Sequence, residues 1–501
     1  DEEYEQAKVE PLVFSWDPGF VPSAGVASRV DTASSTEYDS YFVERMFNDI
    51  VADMYEQLGY DESVAKDLLY TGGYSIYCTV DPKVQSIVES VYADRNNLNY
   101  TSSKGELLQS GATIIDNTTG DIVAVAGRVG EREGRFLLDY STVVRQCGSA
   151  IKPVSVYAPA LDDGTINGAS AIDDYPVMVL NGSAYPKNSN GRYMGLTPLH
   201  TAIARSTNTC AVRVVQEYGT GRSYDFMTSK LGFTTLTQAD SQQSGNMGLG
   251  GYEYGVTTEE MAAAYGAFVN DGVYTPPRTF YRVEDSQGNL VCENNKESNV
   301  AMKATTAYII RQTLKSVITS GTGGEARFSG MTIAGKTGTT DENRDRYFAG
   351  FSPYYSAAVW TGYKSNERFS ESLGNPSAVL WREVMRRIHD GLENKDFNSC
   401  SGLVQVTVCQ DSGLLATEAC THDLRGNRAT TVTVAADTAP TQSCNVHKMV
   451  RYCKDGKHLA TEYCPASSVV EIAALDWNRE IIKNIKAQDD EYLLQTLTGK
   501  E

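Results

Sequence analysis

The sequence predicts an α/β protein of the α+β type, in which one central antiparallel sheet is flanked by helices. Three observations lead to this prediction. Residues 111–127 have the pattern of a β-hairpin, and several helix-like segments follow them. Residues 331–362 have the pattern of three strands in an antiparallel meander, and residues 376–392 that of an amphipathic helix. Strands and helices grouped in this way give one sheet with helices on its faces.

The segment before the hairpin is predicted to be mainly helical. Residues 38–70 have apolar side chains at helical spacing, and a glycine pair follows this run. Residues 74–80 alternate like a strand. Asp81 and Pro82 have the residue types of an N-cap and a first helical position, so a further helix is expected to begin there.

The segments around and after the hairpin follow the same local rules. The hairpin turn is predicted at residues 117–120, between two apolar runs. Residues 175–195 are predicted to form a polar loop, and residues 259–269 and 304–317 to form helices. The final stretch, residues 469–501, is predicted to be helical and exposed.

Length and charge limit the classes of function. With 501 residues, the chain is long enough for two or three domains. It has no long apolar run and no visible secretory signal, so we expect either a soluble protein or a fragment whose membrane anchor has been removed. The net charge of −19 argues against a nucleic-acid partner, because phosphate binding needs clustered Lys and Arg.

Two similar segments near the C-terminus each carry two cysteines that are eleven residues apart. These pairs are Cys409 with Cys420 and Cys453 with Cys464. Repeats of this kind predict small modules, each closed by its own disulfide, in an oxidising compartment. The alternative is zinc, with His447 or His458 as an additional ligand, but the Cys-x-x-Cys spacing of zinc ribbons is absent. We therefore expect no metal ligands and no cofactor.

A Ser-x-x-Lys motif, from Ser149 to Lys152, is the first candidate for chemistry. Residues three apart on a helix lie on one face, so this spacing places an amine beside a hydroxyl. If burial or a nearby positive charge keeps the amine neutral, the amine can take the hydroxyl proton and generate a nucleophile. Pro153 is compatible with a helix that begins near Ser149, because the first four N–H groups of a helix have no intrahelical partner.

Two further motifs make the first one informative. Ser206 begins a Ser-Thr-Asn triplet after a helix-like run, and Lys336 begins a Lys-Thr-Gly-Thr-Thr run within the strand-rich stretch. Ser-x-x-Lys, Ser-x-Asn and Lys-Thr-Gly occur together in serine β-lactamases and penicillin-binding proteins. The presence of all three motifs in this order therefore indicates that family of serine enzymes.

The chain resembles a class A penicillin-binding protein, of the bifunctional kind that makes peptidoglycan. Residues 148–153, 255–265, 334–345 and 359–363 resemble the transpeptidase domain of that family. Residues 2–12 resemble the final turn of its glycosyltransferase domain, whose acidic catalytic motif is missing here. The resemblance implies the fold shared by penicillin-binding proteins and serine β-lactamases, in a fragment without polymerase activity.

The resemblance also implies that the chain is divided into three parts. Residues 1–71 would be the end of a glycosyltransferase domain and a linker, and residues 72–395 the penicillin-binding transpeptidase domain. Residues 396–501 would be a cysteine-rich extension with two small modules, similar to extensions of some Gram-positive members. These modules would be either rigid spacers or binding elements for wall polymer or a partner protein.

The activity implied by the resemblance is that of a D,D-transpeptidase, which cross-links peptidoglycan stem peptides and releases D-alanine. Ser149 would attack the carbonyl of the penultimate D-alanine, and Lys152 would act as general base. Ser206 would bridge the two motif lysines and relay a proton to the leaving D-alanine. Asn208 would orient Lys152 and the substrate amide.

The resemblance assigns substrate binding to the Lys-Thr-Gly strand. Lys336, Thr337 and Thr339 would hold the terminal carboxylate, and Gly338 would allow the backbone to approach closely. The N–H groups of Ser149 and Thr339 would form an oxyanion hole. Penicillins and other β-lactams mimic D-alanyl-D-alanine and would acylate Ser149 nearly irreversibly.

Two other functions are alternatives. A serine β-lactamase of the same fold needs an activated water, which in class A enzymes depends on a glutamate. No Glu-x-x-Leu-Asn-like segment lies between Ser206 and Lys336. A non-catalytic β-lactam sensor or wall-binding protein would use a decayed site, whereas every motif residue is intact here.

Cys147 and Cys210 lie close in sequence to Ser149 and Asn208, which the mechanism brings together. We expect them either to form a disulfide beside the site or to be two separate buried thiols. The expected location is the extracytoplasmic face of a bacterial cell membrane, through an N-terminal anchor that this chain lacks. Expected partners are stem peptides, β-lactams and other cell-wall synthesis proteins.

Overall fold

The computed structural model describes residues 39–370, 373–480, 482 and 484–498. The prediction that residues 2–12 end a glycosyltransferase domain lies outside these described residues. The helices, in chain order, are α1 (Tyr41–Leu58), α2 (Glu62–Thr71), α3 (Pro82–Ala93), α4 (Ala158–Asp162), α5 (Leu199–Ala204), α6 (Asn208–Tyr218), α7 (Thr220–Leu231), α8 (Ser244–Leu249), α9 (Thr258–Val269), α10 (Ala304–Thr319), α11 (Pro376–Ile388), α12 (Glu418–Thr421) and α13 (Leu494–Thr498).

The strands form several antiparallel groups. In chain order they are β1 (Ser75–Cys78), β2 (Gln109–Asp116), β3 (Ile122–Ala126), β4 (Ala171–Asp174), β5 (Met178–Leu180), β6 (Ser183–Tyr185), β7 (Gly195–Pro198), β8 (Val273–Tyr274), β9 (Phe280–Glu284), β10 (Leu290–Glu293), β11 (Asn299–Val300), β12 (Ala334–Thr339), β13 (Asp345–Phe351), β14 (Tyr355–Gly362), β15 (Leu403–Cys409), β16 (Ala429–Ala435), β17 (His447–Cys453), β18 (His458–Leu459) and β19 (Val469–Leu475).

A five-stranded antiparallel sheet is the centre of the molecule and confirms the predicted fold class. Its strand order is β12-β13-β14-β2-β3, so β12 is at one edge. The two faces of the sheet pack into two separate cores, because alternate side chains of a strand point to opposite faces. On β2, Ile115 belongs to the core that contains α9, whereas Ile114 belongs to the core that contains α3 and α11.

The predicted N-terminal helix is two helices. Gly59 ends α1 in the left-handed region at φ 70°, where its N–H bonds back to the last turn of the helix. The Asp81 prediction is confirmed, because the Asp81 carboxylate accepts hydrogen bonds from the N–H groups of Lys83 and Val84 at 2.9 and 3.0 Å. The predicted 117–120 turn also connects β2 to β3.

The prediction of an exposed C-terminal helix is wrong. Residues Val469–Leu475 form β19, which pairs with β17, and within the described residues only the short α13 follows as an α-helix. Leu475 and Leu493 are fully buried. The alternating β-branched residues at the start of this segment favour a strand, and pairing with β17 outweighs the helical pattern further along the chain.

The tail packs against the strands that border the polar loop. Arg479 donates hydrogen bonds to the carboxylates of Asp173, on β4, and of Asp489, both at 2.7 Å. The Asp489 carboxylate in turn accepts from the N–H of Leu196, on β7, at 2.9 Å. A nearly fully buried Arg479 therefore joins the tail to both ends of the segment 175–195.

All ten cysteines are free thiols, so the predicted Cys409–Cys420 and Cys453–Cys464 disulfides are absent, and Cys147 and Cys210 are two separate buried thiols, the second of the two alternatives. The Sγ atom of Cys210 lies 4.0 Å from the Ile172 carbonyl oxygen, beside β4. Cys147 lies in a different place, where its carbonyl oxygen meets β12 at Gly338. The two thiols are therefore packed against different strands.

The predicted Cys409–Cys420 and Cys453–Cys464 pairs are grouped with histidines. Cys409 and Cys420 lie with Cys444 and His447, and Cys453 and Cys464 lie with His458. Within the part of the chain that the structure describes, no helix combines the length and the apolar character needed to cross a bilayer.

Candidate active site

The three sequence motifs meet at the β12 edge of the sheet, and glycines allow their backbones to touch. A Cβ atom on Gly338 would lie 2.0 Å from the carbonyl oxygen of Cys147, and one on Gly148 would lie 2.4 Å from the carbonyl oxygen of Thr339. Gly148 also has φ 52°, which favours glycine. The turn that carries Ser149 is therefore in direct backbone contact with the Lys-Thr-Gly strand.

Ser149 and Lys152 lie on one tightly wound turn. Residues Gly148–Ile151 form a 3-10 helix, in which the Lys152 N–H bonds to the Ser149 carbonyl oxygen. Pro153 has no N–H and cannot make the i to i−4 bond to that same oxygen, which favours the tighter turn. In a 3-10 helix residues i and i+3 eclipse, so the two side chains leave the helix on the same side. Ser149 is partly exposed, whereas Lys152 is fully buried.

The Lys152 amine is held by oxygen atoms of the Ser-Thr-Asn triplet. Its Nζ atom lies 2.8 Å from the Ser206 carbonyl oxygen, 3.3 Å from the Thr207 carbonyl oxygen and 2.7 Å from the Asn208 Oδ1, and the neutral amine can donate its two hydrogens to two of these acceptors. These three acceptors hold the amine in a position where it is fully buried.

The Ser206 hydroxyl lies between the two motif lysines. It accepts a hydrogen bond from Lys336 Nζ at 2.7 Å, and Lys152 Nζ lies 3.5 Å away. Ser206 has φ 58°, an uncommon value for a residue with a side chain. The N–H groups of Ser206 and Thr207 bond to α5 and hold this conformation at 3.1 and 3.0 Å.

Burial and mutual repulsion favour the neutral form of the lysines. Burial, and then the positive charge of Lys336, hold the pKa of Lys152 well below its usual range. Burial also lowers the pKa of Lys336 to about 7. Near neutral pH, the site therefore combines a neutral amine, able to accept a proton, with a second amine that still carries charge in part of the molecules.

Asn208 is positioned by residues that the sequence analysis missed. Its side-chain nitrogen donates to the Lys187 carbonyl oxygen at 2.7 Å, and its N–H donates to Asn188 Oδ1 at 2.8 Å. The Asn188 side chain donates in turn to the buried Asp174 at 2.6 Å. The predicted polar loop thus carries the groups that orient the triplet, and no motif or periodicity in the sequence indicated Asn188 or Asp174.

The predicted substrate-binding residues lie along β12. Thr337, Gly338 and Thr339 pair with β13 on one side only, because β12 is an edge strand. The Thr337 hydroxyl lies 2.7 Å from the hydroxyl of Thr322, a further contact that the sequence did not predict. An edge strand exposes unpaired N–H and C=O groups, so an extended peptide can bind here as an added strand.

This arrangement has the parts required for acyl transfer through a serine. A partly exposed hydroxyl lies on the same helical face as a neutral amine, and a second lysine and an edge strand complete the cleft. The Ser149–Lys152 turn, the Ser-Thr-Asn triplet and the Lys-Thr-Gly strand therefore come together from three distant parts of the chain.

Comparison with protein families agrees with this class of enzyme. The family described as "Penicillin binding protein transpeptidase domain" matches residues 110–377, which is more than half of the chain. The family described as "Penicillin-binding protein 1A, C-terminal domain" matches residues 399–449. The chain belongs to the class A penicillin-binding proteins and contains their transpeptidase domain.

Individual relatives support the same assignment. Penicillin-binding protein 1A of Clostridium perfringens strain ATCC 13124 is 32% identical over 437 residues, which are 83% of this chain and 52% of that protein. Penicillin-binding protein 1A of Streptococcus pneumoniae is 30% identical over 395 residues, 74% of this chain and 52% of that protein. The chain thus spans about half the length of the curated relatives that it matches.

Solved structures share the fold. Penicillin-binding protein 1A from Haemophilus influenzae aligns with a TM-score of 0.65 at 18% identity, over 82% of this chain and 78% of that chain. PonA1 from Mycobacterium tuberculosis, solved in complex with penicillin V, aligns with a TM-score of 0.60 at 21% identity, over 72% of this chain and 95% of that chain. At these identities, the likeness establishes the fold alone.

The contact between Gly338 and Cys147 leads to a first prediction. Gly338→Ala adds a Cβ atom 2.0 Å from a backbone oxygen, so β12 and the Ser149 turn must separate. We expect the second-order rate constant of acylation by a fluorescent penicillin to fall by about tenfold or more, since displacements of about 1 Å cost about 100-fold in other enzymes. Gly324→Ala is the matched control, because no atom lies within 4 Å of its added Cβ. Equal rates for both variants would contradict the contact.

Proposed function

We propose that this chain catalyses D,D-transpeptidation, cross-linking peptidoglycan stem peptides through an acyl-enzyme on Ser149. The observation that carries this proposal is the convergence of Lys152 and Lys336 on the Ser206 hydroxyl, at 3.5 and 2.7 Å. The same convergence places a deprotonated amine on the helical face of Ser149. These positions support the roles that we propose for the individual residues.

The first half-reaction forms the acyl-enzyme. Lys152 accepts the Ser149 proton, and the Ser149 oxygen forms a bond to the carbonyl carbon of the penultimate D-alanine. The bond between that carbon and the terminal D-alanine nitrogen then breaks. A proton passes from Lys152 through the Ser206 hydroxyl to this nitrogen, and D-alanine leaves.

The second half-reaction transfers the acyl group to an amine of a second stem peptide. Lys152, again neutral, accepts a proton from the attacking amine as the new amide bond forms, and then returns a proton to the Ser149 oxygen as the ester bond breaks, so that Ser149 leaves as the hydroxyl. Lys152 thus removes a proton from the nucleophile and delivers a proton to the leaving group in both half-reactions. The Ser206 hydroxyl, which lies between Lys152 and Lys336, would relay the proton in the first of them.

Substrate binding is proposed at the β12 edge. The N–H groups of Ser149 and Thr339 would stabilise the developing oxyanion, which the backbone contact between Gly148 and Thr339 supports. Lys336, Thr337 and Thr339 would bind the terminal carboxylate, and Asn208 would bind the substrate amide. β-Lactams carry a carboxylate beside a strained amide and would enter by the same route.

The parts of the whole protein are proposed from its relatives. Residues 72–395 would be the transpeptidase domain and residues 396–501 a C-terminal extension, whereas residues 1–71 would link to a glycosyltransferase domain. The protein would act on the extracytoplasmic side of the cell membrane, held by an N-terminal anchor, with other cell-wall synthesis proteins as partners. Related proteins named penicillin-binding protein 1A support this location.

The role of Ser149 is tested by labelling with a fluorescent penicillin. We expect Ser149→Ala to abolish covalent labelling, because Ser149 carries the partly exposed hydroxyl one helical turn before Lys152 on which the acyl-enzyme would form. Ser90→Ala, which changes an exposed hydroxyl on α3, should label like the unchanged protein. Undiminished labelling of Ser149→Ala would remove Ser149 from the mechanism.

Two further assays, of nitrocefin hydrolysis and of D-alanine release, separate the alternative functions. The unchanged protein should react once with nitrocefin and then hydrolyse it slowly, whereas rapid turnover would identify a β-lactamase. Stoichiometric labelling without release of D-alanine from a stem-peptide substrate would instead indicate a non-catalytic β-lactam sensor.

The pKa of Lys336 leads to a prediction about pH. If the charged form of Lys336 binds the β-lactam carboxylate, acylation should slow as the pH rises through about 7, where this lysine loses its proton. Deprotonation of Lys152 should give the opposite, rising limb at lower pH, because its pKa is also lowered. The expected pH profile of the acylation rate constant is therefore bell-shaped.

Lys336→Arg tests the assignment of the falling limb. Arginine stays protonated across this range, so the variant should lose the decline above pH 7 whatever its absolute rate. Thermal unfolding of the variant would show whether the fold is intact. A decline that is unchanged in Lys336→Arg would assign that limb to another group.

A further inference from the structure

A second cluster of reactive side chains lies in the C-terminal extension, away from Ser149. The ligand atoms of Cys409, Cys420, Cys444 and His447 all lie within 4.8 Å of one another. Cys409 and Cys420 are fully buried, and the His447 side chain is also inaccessible to solvent. The acyl-transfer mechanism uses none of these groups.

The spacing of the cluster fits a tetrahedral metal ion. Zn²⁺ binds sulfur at about 2.3 Å and nitrogen at about 2.0–2.1 Å, so sulfur and nitrogen ligands of one tetrahedron lie about 3.5 Å apart. In the structure His447 Nδ1 lies 3.3 Å from Cys409 Sγ and 3.4 Å from Cys444 Sγ. Three sulfurs and one nitrogen are a donor set typical of closed structural zinc sites.

The other ring nitrogen of His447 supports the same assignment. His447 Nε2 lies 2.9 Å from the buried Asp423 carboxylate, which favours a proton on Nε2, and Nδ1 is the ring nitrogen that faces the sulfurs and would bind a metal ion. Histidines that bind metals almost always donate their second N–H to a carboxylate or carbonyl in this way. Asp423 is therefore a positioning residue for His447.

The neighbouring carboxylates are neutralised by arginines and are not free to bind the metal themselves. Arg425 donates to Asp423 at 2.7 Å and to Asp411 at 2.9 Å, and Arg428 donates to Asp411 at 2.9 Å. Two arginines thus balance two aspartates around His447. The sulfur cluster with His447 Nδ1 is therefore the group available to bind a metal ion.

Backbone N–H groups are directed at two of the sulfurs. The Asp411 N–H donates to Cys409 Sγ and the Thr417 N–H donates to Cys420 Sγ, both at 3.3 Å. Hydrogen bonds from N–H groups stabilise a thiolate over a thiol, and the thiolate is the form that binds metal. A Cys409–Cys420 disulfide would join only two of the three cysteines and would leave the partly buried Cys444 thiol beside His447.

We propose that Cys409, Cys420, Cys444 and His447 bind one structural Zn²⁺ ion. Cys409 ends β15, Cys420 lies on α12, and Cys444 and His447 lead into β17, so the ion would join the first module of the extension to the second. The sequence analysis expected a Cys409–Cys420 disulfide and no metal. The sequence signal for the site is Cys444-Asn-Val-His447, a Cys-x-x-His pair that lies outside the repeat.

The second repeat offers only three ligands in the described residues. Cys453, His458 and Cys464 lie together, and Cys464 is partly exposed. This cluster carries no proposal.

The test is the zinc content of the full chain, purified without chelators and measured by elemental analysis. Cys444→Ser should lower the content by one zinc ion per chain relative to the unchanged protein. Cys292→Ser, which changes a buried cysteine on β10, should leave the content unchanged. Equal zinc in Cys444→Ser and the unchanged protein would overturn the proposal.

Loss of zinc through misfolding is excluded by two further measurements. Cys444→His should retain the ion, because imidazole is also a zinc ligand. The unchanged protein loaded with Co²⁺ should show thiolate charge-transfer absorption and the visible bands of a tetrahedral ion. Absence of thiolate charge transfer, or a Cys409–Cys420 disulfide in peptide mapping of the non-reduced protein, would overturn the proposal.

Discussion

Two buried lysine amines that share one serine hydroxyl are the interaction on which the candidate active site depends. Like charges separated by a few ångströms in a poorly solvated cleft repel strongly, so the two lysines do not both hold a proton easily. The oxygens of Ser206, Thr207 and Asn208 satisfy the N–H donors of Lys152 without adding a negative charge. The protein therefore buries an amine that is ready to act as a base.

Contacts at increasing distance from the two lysines hold this interaction in place. Glycines at positions 148 and 338 let the Ser149 turn touch the edge strand, which brings Lys152 and Lys336 to the same hydroxyl. The polar loop then fixes Asn208 through Asn188, and Arg479 anchors both ends of that loop to the C-terminal tail. The extension thereby supports the loop that orients the triplet, although it lies far from Ser149 in sequence.

Local chemistry in the sequence predicted local structure well. The Asp81 cap, the hairpin turn and the eclipsed Ser149 and Lys152 follow from residue types within a few positions of one another. Asn188 could not be predicted, because its role depends on a partner in another segment and the loop has no periodicity. Strand β19 depends on pairing with β17, so the prediction of a helix there was wrong. The cysteine cluster depends on Cys444 and His447, which lie outside the repeat, so the prediction of a Cys409–Cys420 disulfide was wrong as well.

The protonation of the two lysines is the most direct test of this account. A neutron diffraction structure of the free protein, with crystals grown at a pH below 7, would show the hydrogen atoms on each amine. The account predicts two hydrogens on Lys152 Nζ, three on Lys336 Nζ, and a Lys336 hydrogen directed at the Ser206 oxygen. Three hydrogens on both amines would contradict it, because Lys152 could not then act as the base.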